Sequence, residues 1–375
     1  MSDPRQYWVA FSLVKGIGPV RFQALLDYFA DPQIAWGAPP HALREAGLSD
    51  KIVENLVQLR SSDELEKTWE ELEEKGISVT ILPDEEYPSR LRELDLPPPV
   101  LYMRGELTSD DEWAVAVVGT RRVTAYGRQI AEDVAGTLAR NGITVISGLA
   151  RGVDSISHQA ALNAGGRTIA VLGSGLDRIY PPENRRLSEQ IITRGALISD
   201  YPPGTPPEAS NFPPRNRLIS GLSLAVVIVE AGQTSGALIT ASFAADQGRD
   251  VFAVPGNITS PASKGTNRLI QDGAQPLLHP DDILEALELT MVAEHRTARV
   301  VLPADAVEAQ LFETLGREPL HIDEIRSRTE IPIEKVTAAL ALMELKGMIR
   351  QVGGMNYIAL REVKETYQGD QELPS

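Results

Sequence analysis

Between residues 112 and 290, short runs of apolar, largely β-branched residues alternate with stretches of helical periodicity. The runs occupy 114–118, 144–146, 168–172, 196–199, 224–229 and 250–254, and the helical stretches lie around 126–140, 154–164, 184–193 and 235–247. A strand buried on both faces reads as a continuous apolar run, because neither row of side chains meets water. The pattern predicts an α/β fold, an extended Rossmann-like, mostly parallel sheet covered by helices. In such sheets the loops leaving the carboxyl ends of the strands carry the functional residues.

The flanks differ. Residues 1–82 read as a small N-terminal helical domain, with Leu13, Val14, Ile17, Leu25, Leu26 and Phe29 around the turn Lys15-Gly16-Ile17-Gly18-Pro19. Two helices joined through that turn make a helix-hairpin-helix-like (SAM-like) unit, whose second helix starts with N–H groups suited to a phosphate. A tight packing turn is the plainer alternative. A Pro-rich linker is expected over 83–111. Residues 300–361 combine three helical stretches with a two-strand hairpin around Gly353-Gly354, the order of a winged helix. Its third helix carries Glu334 and Glu344 as well as Lys335 and Lys346, so contact with protein is as open as contact with DNA. Residues 362–375 read as a flexible polar tail.

Four glycine-rich loops follow the apolar runs of the middle segment: Gly119-Thr120-Arg121-Arg122, Ser147-Gly148-Leu149-Ala150-Arg151-Gly152, Gly173-Ser174-Gly175 and Glu230-Ala231-Gly232-Gln233-Thr234-Ser235-Gly236. Glycine lets the backbone turn its N–H groups inward, small hydroxyls add donors, and the next helix presents its positive end to an anion. One such loop is weak evidence. Four in register, two of them carrying arginine, describe a pocket for negative charge, with Gly119, Thr120, Arg121, Arg122, Ser147, Gly148, Arg151, Ser174 and Gly175 as candidate contacts. A second basic stretch, Asn211-Phe212-Pro213-Pro214-Arg215-Asn216-Arg217, offers Phe212 for base stacking and Arg215, Asn216 and Arg217 for the backbone. Phe212 as a loop anchor is the alternative. Lys264 and Arg268 would extend the rim.

Other chemistries are poorly supplied. Gly173-Ser174-Gly175 fails as a dinucleotide fingerprint, since Arg178 stands at the third glycine position and Tyr180-Pro181-Pro182 precedes any helix. No phosphate-binding loop of the G-x-x-x-x-G-K-[ST] kind occurs, so neither a nicotinamide nor any other cofactor is expected. Asp154 and His158 share one helix face, yet an N-capping aspartate and a surface histidine account for them. Glu230 is the best lone carboxylate, and alone it makes no mechanism. The histidines show no metal-ligand spacing, and with no cysteine the chain lacks thiolates, disulfides and iron–sulfur ligands. No catalytic or metal-binding residue is predicted, and the chain reads as a non-enzyme.

A net charge of -16 rules out a coat of basic surface, so any nucleic-acid partner needs a local cationic cleft. Residues 110–290 hold 15 Lys/Arg, fourteen of them arginine, the side chain suited to bidentate phosphate contacts. No run approaches the roughly 18 apolar residues of a membrane span. The N-terminus lacks a basic region followed by an apolar one. A cytoplasmic protein without a membrane partner is expected.

Taken in order from Gly119 to Ile270, these motifs resemble the DprA/Smf family of DNA-processing proteins. The likeness rests on Gly119-Thr120-Arg121, on Ser147 through Asp154 with His158, and on Gly173-Ser174-Gly175 with Tyr180-Pro181. It continues through Ser199-Asp200-Tyr201-Pro202, Phe212 through Ser223, Glu230-Ala231 with Ser235-Gly236, Asp246-Gln247-Gly248-Arg249, Val254-Pro255-Gly256 and Gly265-Thr266-Asn267. The resemblance implies single-stranded DNA binding, loading of the RecA recombinase during natural transformation, interplay with single-strand-binding protein, a homodimer and no catalytic step. Carried onto this chain, phosphate contacts fall on Gly119, Arg121, Ser147, Gly148, Arg151, Ser174 and Arg217. In one departure, Leu176 and Asp177 stand where many relatives close the pocket with a basic residue, and Arg178 and Arg185 are the expected substitutes. Two alternatives stay open: a phosphoribohydrolase acting on nucleoside monophosphates, and a non-catalytic protein-interaction scaffold. The first needs a carboxylate beside its phosphate loop, whereas the 232–236 loop runs into Ala237-Leu238-Ile239.

Overall fold

A computed structural model describes residues 3–287, 306–315, 319–329, 331–345, 349–352 and 354–359. They fall into two compact units, before and after residue 289. The first begins with six helices, α1 (Arg5–Leu13), α2 (Pro19–Phe29), α3 (Pro32–Gly37), α4 (Pro40–Glu45), α5 (Asp50–Arg60) and α6 (Glu64–Glu74). Aromatic rings join α1 to α2 and α3: Trp8 lies 5.0 Å from Phe22, and Phe11 meets Phe22 and Trp36 edge-on at 5.6 and 5.4 Å.

Nine strands follow: β1 (Ser78–Ile81), β2 (Val100–Gly105), β3 (Ala114–Val118), β4 (Thr144–Ser147), β5 (Thr168–Val171), β6 (Gly195–Ser199), β7 (Ala225–Ile228), β8 (Asp250–Ala253) and β9 (Gln275–Pro276). They form one sheet in the order β1-β2-β6-β5-β4-β3-β7-β8-β9. Strands β3 to β9 pair in parallel, while β1 and β2 run antiparallel at one edge. The six apolar runs expected as strands are β3 to β8. Helices α7 (Ser89–Arg92), α8 (Ala125–Arg140), α9 (Val153–Asn163), α10 (Arg185–Ile192), α11 (Phe212–Gly221), α12 (Ala237–Asp246), α13 (Lys264–Gln271) and α14 (Asp282–Ala286) connect and cover them.

One expectation needs correction. The stretch 83–111 is not a free linker, because it contains β2, which bonds to β6 and is buried on both faces. Val100 and Tyr102 join the core that also holds the N-terminal helices, while Leu101 joins the core on the opposite face. The Tyr102 hydroxyl meets the Ser12 hydroxyl at 2.7 Å, fastening α1 to the sheet. The basic stretch from Phe212, for which a loop is the alternative setting, is helical. It is α11, with Pro213 and Pro214 in its first turn, where a missing N–H is harmless.

The chain leaves β3 for β4 on one side and later returns to β7 on the other, so the strand order reverses between β3 and β7. A crevice opens at the carboxyl ends of strands where their crossovers diverge in this way.

The second unit contains helices Ala306–Thr314, Ile322–Thr329 and Ile333–Leu345 with a sheet of β10 (Leu320–His321), β12 (Asn356–Ala359) and β11 (Ile349–Gln351) in that order. Leu311, Ile325, Val336, Leu340 and Met343 form its core, the arrangement expected of a winged helix. The sequence did not announce β10, which has two residues and pairs only through β12. Glu344 accepts the Gln351 N–H at 3.0 Å, tying the third helix to the wing. Lys346 and the expected tail over 362–375 lie outside the described residues. Among those described, no helix is long and apolar enough to cross a membrane.

Candidate nucleic-acid interface

The crevice between β3 and β7 is a cleft of about 860 Å³ lined by the 119–122 loop, the 232–237 loop and one face of α11. The loop after β3 is tied across the reversal point, since the Thr120 N–H donates to the Glu230 carbonyl at 2.7 Å. The Glu230 carboxylate, 3% exposed, accepts the Thr124 N–H at 2.9 Å and its hydroxyl at 2.8 Å. Thr124 Oγ1 in turn accepts the Gly127 N–H at 3.1 Å, so Glu230 caps α8 through a threonine and is not free for proton transfer.

Asp154 is engaged in the same way, at 6% exposure. It accepts the N–H groups of Gly148 and Ala150 at 3.1 and 3.3 Å and so folds the 148–152 loop back on α9. Gly152 takes φ +79, and a Cβ there would collide with the Thr120 carbonyl. Only glycine lets the two loops touch. Leu149 is held at φ 56, a conformation uncommon for a branched side chain. With these amides committed to the fold, the charge of the cleft comes mainly from arginine side chains.

Phe212, at the start of α11, forms the aromatic wall. The Arg121 guanidinium lies 5.3 Å from its ring centroid, and the Tyr180 ring lies 5.9 Å away, tilted by 36°. Arg121 and Arg122 are exposed at one lip. The Thr234 and Ser235 hydroxyls and the first turn of α12 line the facing wall. Arg151 borders the mouth beside Arg121 and Phe212 and pairs with Glu183.

Arg215 is the chief surprise. It is 3% exposed, donates to the Val171 carbonyl, and lies where a Cβ on Gly148 would strike its guanidinium. Burial pushes its pKa down to about 10, against the pull of Asp154. Burial likewise pushes the Asp154 carboxyl upward. Arg215 braces the cleft floor, with its Nη1 held by the Val171 carbonyl and its Nε without a hydrogen-bond partner among the described residues.

Below it, His158 is fully buried, with Nδ1 2.6 Å from Thr168 Oγ1. That hydroxyl donates to the Val145 carbonyl at 2.7 Å, so it accepts from His158, which assigns the ring proton to Nδ1. Burial, aided by the Arg215 charge, lowers the His158 pKa from 6.5 to about 3. The histidine expected at the surface is thus a neutral core residue. Between those two pH values the unfolded chain takes up a proton that the folded chain refuses. Stability from this group is complete above about pH 6.5 and falls by about 1.4 kcal/mol per pH unit toward pH 3. Urea unfolding should show the wild type losing about 2 kcal/mol more than His158→Gln between about pH 7 and about pH 5. Parallel pH profiles for the two proteins would contradict the assignment.

The expected contacts therefore divide. Gly119, Thr120, Arg121, Arg122, Gly148, Arg151, Phe212, Arg215 and Asn216 line the cleft or its mouth, with Arg215 as a buried brace and Asn216 donating to the Gly236 carbonyl at 3.3 Å. Ser147 is buried and donates to the Val117 carbonyl at 2.7 Å. Ser174 is buried and donates to the Arg178 carbonyl at 2.9 Å, and the Gly175 N–H is taken by the Thr205 carbonyl. Arg217 points off the cleft, paired with Asp200 at 2.9 Å and donating to the Leu96 carbonyl at 2.7 Å. Arg178, Arg185, Lys264 and Arg268 are exposed outside the cleft lining. Leu176 is buried, Asp177 accepts the Gly204 N–H, and Arg178 pairs with Asp177 at 3.6 Å. Tyr180, Thr234 and Ser235 belong to the lining although they were not singled out as contacts. Among the described residues, no group of three His, Asp or Glu side chains could hold a metal ion.

The family model for DNA recombination-mediator protein A matches residues 78–288, and that for the DprA winged helix domain matches residues 295–355. The chain is 36% identical to Protein Smf of Synechocystis sp. over 95% of its own length and 99% of that protein. Its structure is similar to DNA processing protein A of Streptococcus pneumoniae, with a TM-score of 0.66, 34% identity, and coverage of 75% of this chain and 97% of that one. It is also similar to a DNA processing protein A of Helicobacter pylori studied for its single-stranded DNA binding mode. That match has a TM-score of 0.52, 33% identity, and coverage of 56% and 95%.

Proposed function

This chain belongs to the DprA/Smf family of DNA-processing proteins, and from that premise we propose that the cleft between β3 and β7 binds single-stranded DNA and delivers it to the RecA recombinase. The observation that carries the reading is the pairing of Arg121 with Phe212 at 5.3 Å, beside Tyr180 and opposite the start of α12. A base released from its stack lies against the aromatic rings, while flanking phosphates meet Arg121, Arg122 and Arg151, with the Thr234 and Ser235 hydroxyls on the facing wall. Every base has a π-face, so the binding is sequence-tolerant. Duplex DNA offers no unstacked base and binds less well.

Two further features support an assembly. Ile258 and Leu278, in the segments that follow β8 and β9, are 84% and 68% exposed, apolar side chains suited to a homodimer face. The cleft's arginines gather positive charge that the chain as a whole lacks, which favours a DNA strand stripped of single-strand-binding protein over general adhesion. Titrating a dT oligonucleotide at several salt concentrations tests the first step. Log affinity should fall against log salt with a slope of about −0.7 for each phosphate neutralised. Recombinase filament assembly on DNA coated with single-strand-binding protein tests the second. Duplex affinity equal to that of dT, or filament assembly unaffected by the protein, would refute the corresponding half.

A further inference from the structure

A groove of about 830 Å³ runs between α8, α9 and α10. Three arginines line it, Arg128 and Arg140 from α8 and Arg186 from α10. All three are exposed, and none makes an ion pair among the described residues. Arg140 lies back across Gly136, where a Cβ would come within 3.1 Å of its Nη1, so the small residue makes room for the guanidinium. Glu132 and Glu183 are the carboxylates in the lining, and Glu183 is already paired with Arg151. With three guanidinium groups against two carboxylates, one of them paired with an arginine outside the lining, the groove is a local reversal of sign in a chain of net charge -16.

Arg151 joins this groove to the cleft. Its side chain borders the cleft mouth with Arg121 and Phe212, while its partner Glu183 lines the groove. We infer that single-stranded DNA leaving the cleft passes over Arg151 into this groove, where Arg128, Arg140 and Arg186 hold its phosphates and Glu183 competes with the DNA for Arg151. This inference rests on the cleft reading and extends it. The groove lining holds no aromatic residue, so it grips backbone and leaves the bases unread. Its polar side chains, Ser155, Gln159, Asn163 and Gln190, suit sugar and phosphate oxygens.

Anisotropy titrations of the full chain with labelled dT oligonucleotides of roughly 6 and roughly 20 nucleotides separate the two sites. The variant R128Q/R140Q/R186Q should bind the short oligonucleotide within about twofold of wild type and the long one about tenfold more weakly, with a salt slope shallower by about 2. Glu183→Gln should tighten binding several-fold at low salt, because Arg151 is released. The inference is overturned if the triple variant binds the long oligonucleotide as wild type does. It is equally overturned if the variant weakens both lengths alike, which would make the arginines a diffuse field and not a track. Failure of wild type to bind either length would refute the cleft reading and this extension together.

Discussion

Phe212→Ala should lower affinity for a dT oligonucleotide by about 30-fold, since one base–aromatic stack contributes about 1–3 kcal/mol. The loss combines the missing ring with a disordered Arg121, whose guanidinium now rests 5.3 Å from the ring centroid. Phe212→Tyr should restore most of the binding and Phe212→Leu little, because leucine fills the wall without a π-face. Arg121→Ala should weaken binding several-fold and flatten the salt slope by about 0.7. Combining it with Phe212→Ala should give less than the sum of the two effects, as expected for side chains in contact. Fluorescence anisotropy at moderate salt reads all of these. If Phe212→Leu binds as wild type, Phe212 is a loop anchor.

Arg215→Ala should destabilise the first unit by about 3–5 kcal/mol, read as a lowered urea midpoint. Removing this guanidinium strips Asp154 of its main opposing charge in a site where both are nearly dry, and it leaves the Val171 carbonyl without its donor. Deleting one of two opposite buried charges is costly because the other stays behind. The double variant D154N/R215M should therefore be more stable than Arg215→Ala alone. Unchanged stability in Arg215→Ala would mean that the side chain is free to turn into the cleft and meet DNA.

Arg215 and Arg217 show where the sequence stops being legible. As neighbours in a proline-rich stretch they read as a pair reaching for one phosphate chain. Within a helix two residues apart means about 200° of rotation, so they face opposite ways. Phe212, Arg215, Asn216 and Ile219 share the face that lines the cleft, at helical spacing, whereas Arg217 turns toward Asp200 and Leu96. Recognising α11 would have separated them, but two prolines at its start masked the helical signal. Strands β3 to β8 were readable because burial on both faces leaves a continuous apolar record. Strand β2 was not, since its partner β6 is distant in sequence and its short apolar run sits among prolines. Glycine loops marked the right edge of the sheet, yet a sequence does not show which amides the fold will use. Asp154 takes those of Gly148 and Ala150, the Glu230 carbonyl takes that of Thr120, and arginine is left to supply the charge.

The central claim concerns where a DNA strand lies, and photocrosslinking tests it most directly. A dT oligonucleotide carrying bromodeoxyuridine, irradiated on the full chain and mapped by mass spectrometry, should label the peptides containing Phe212 and Tyr180, with Phe212→Ala removing the first. Labels confined to residues 3–74 or to 306–359, with the peptides around 180 and 212 unmarked, would contradict it.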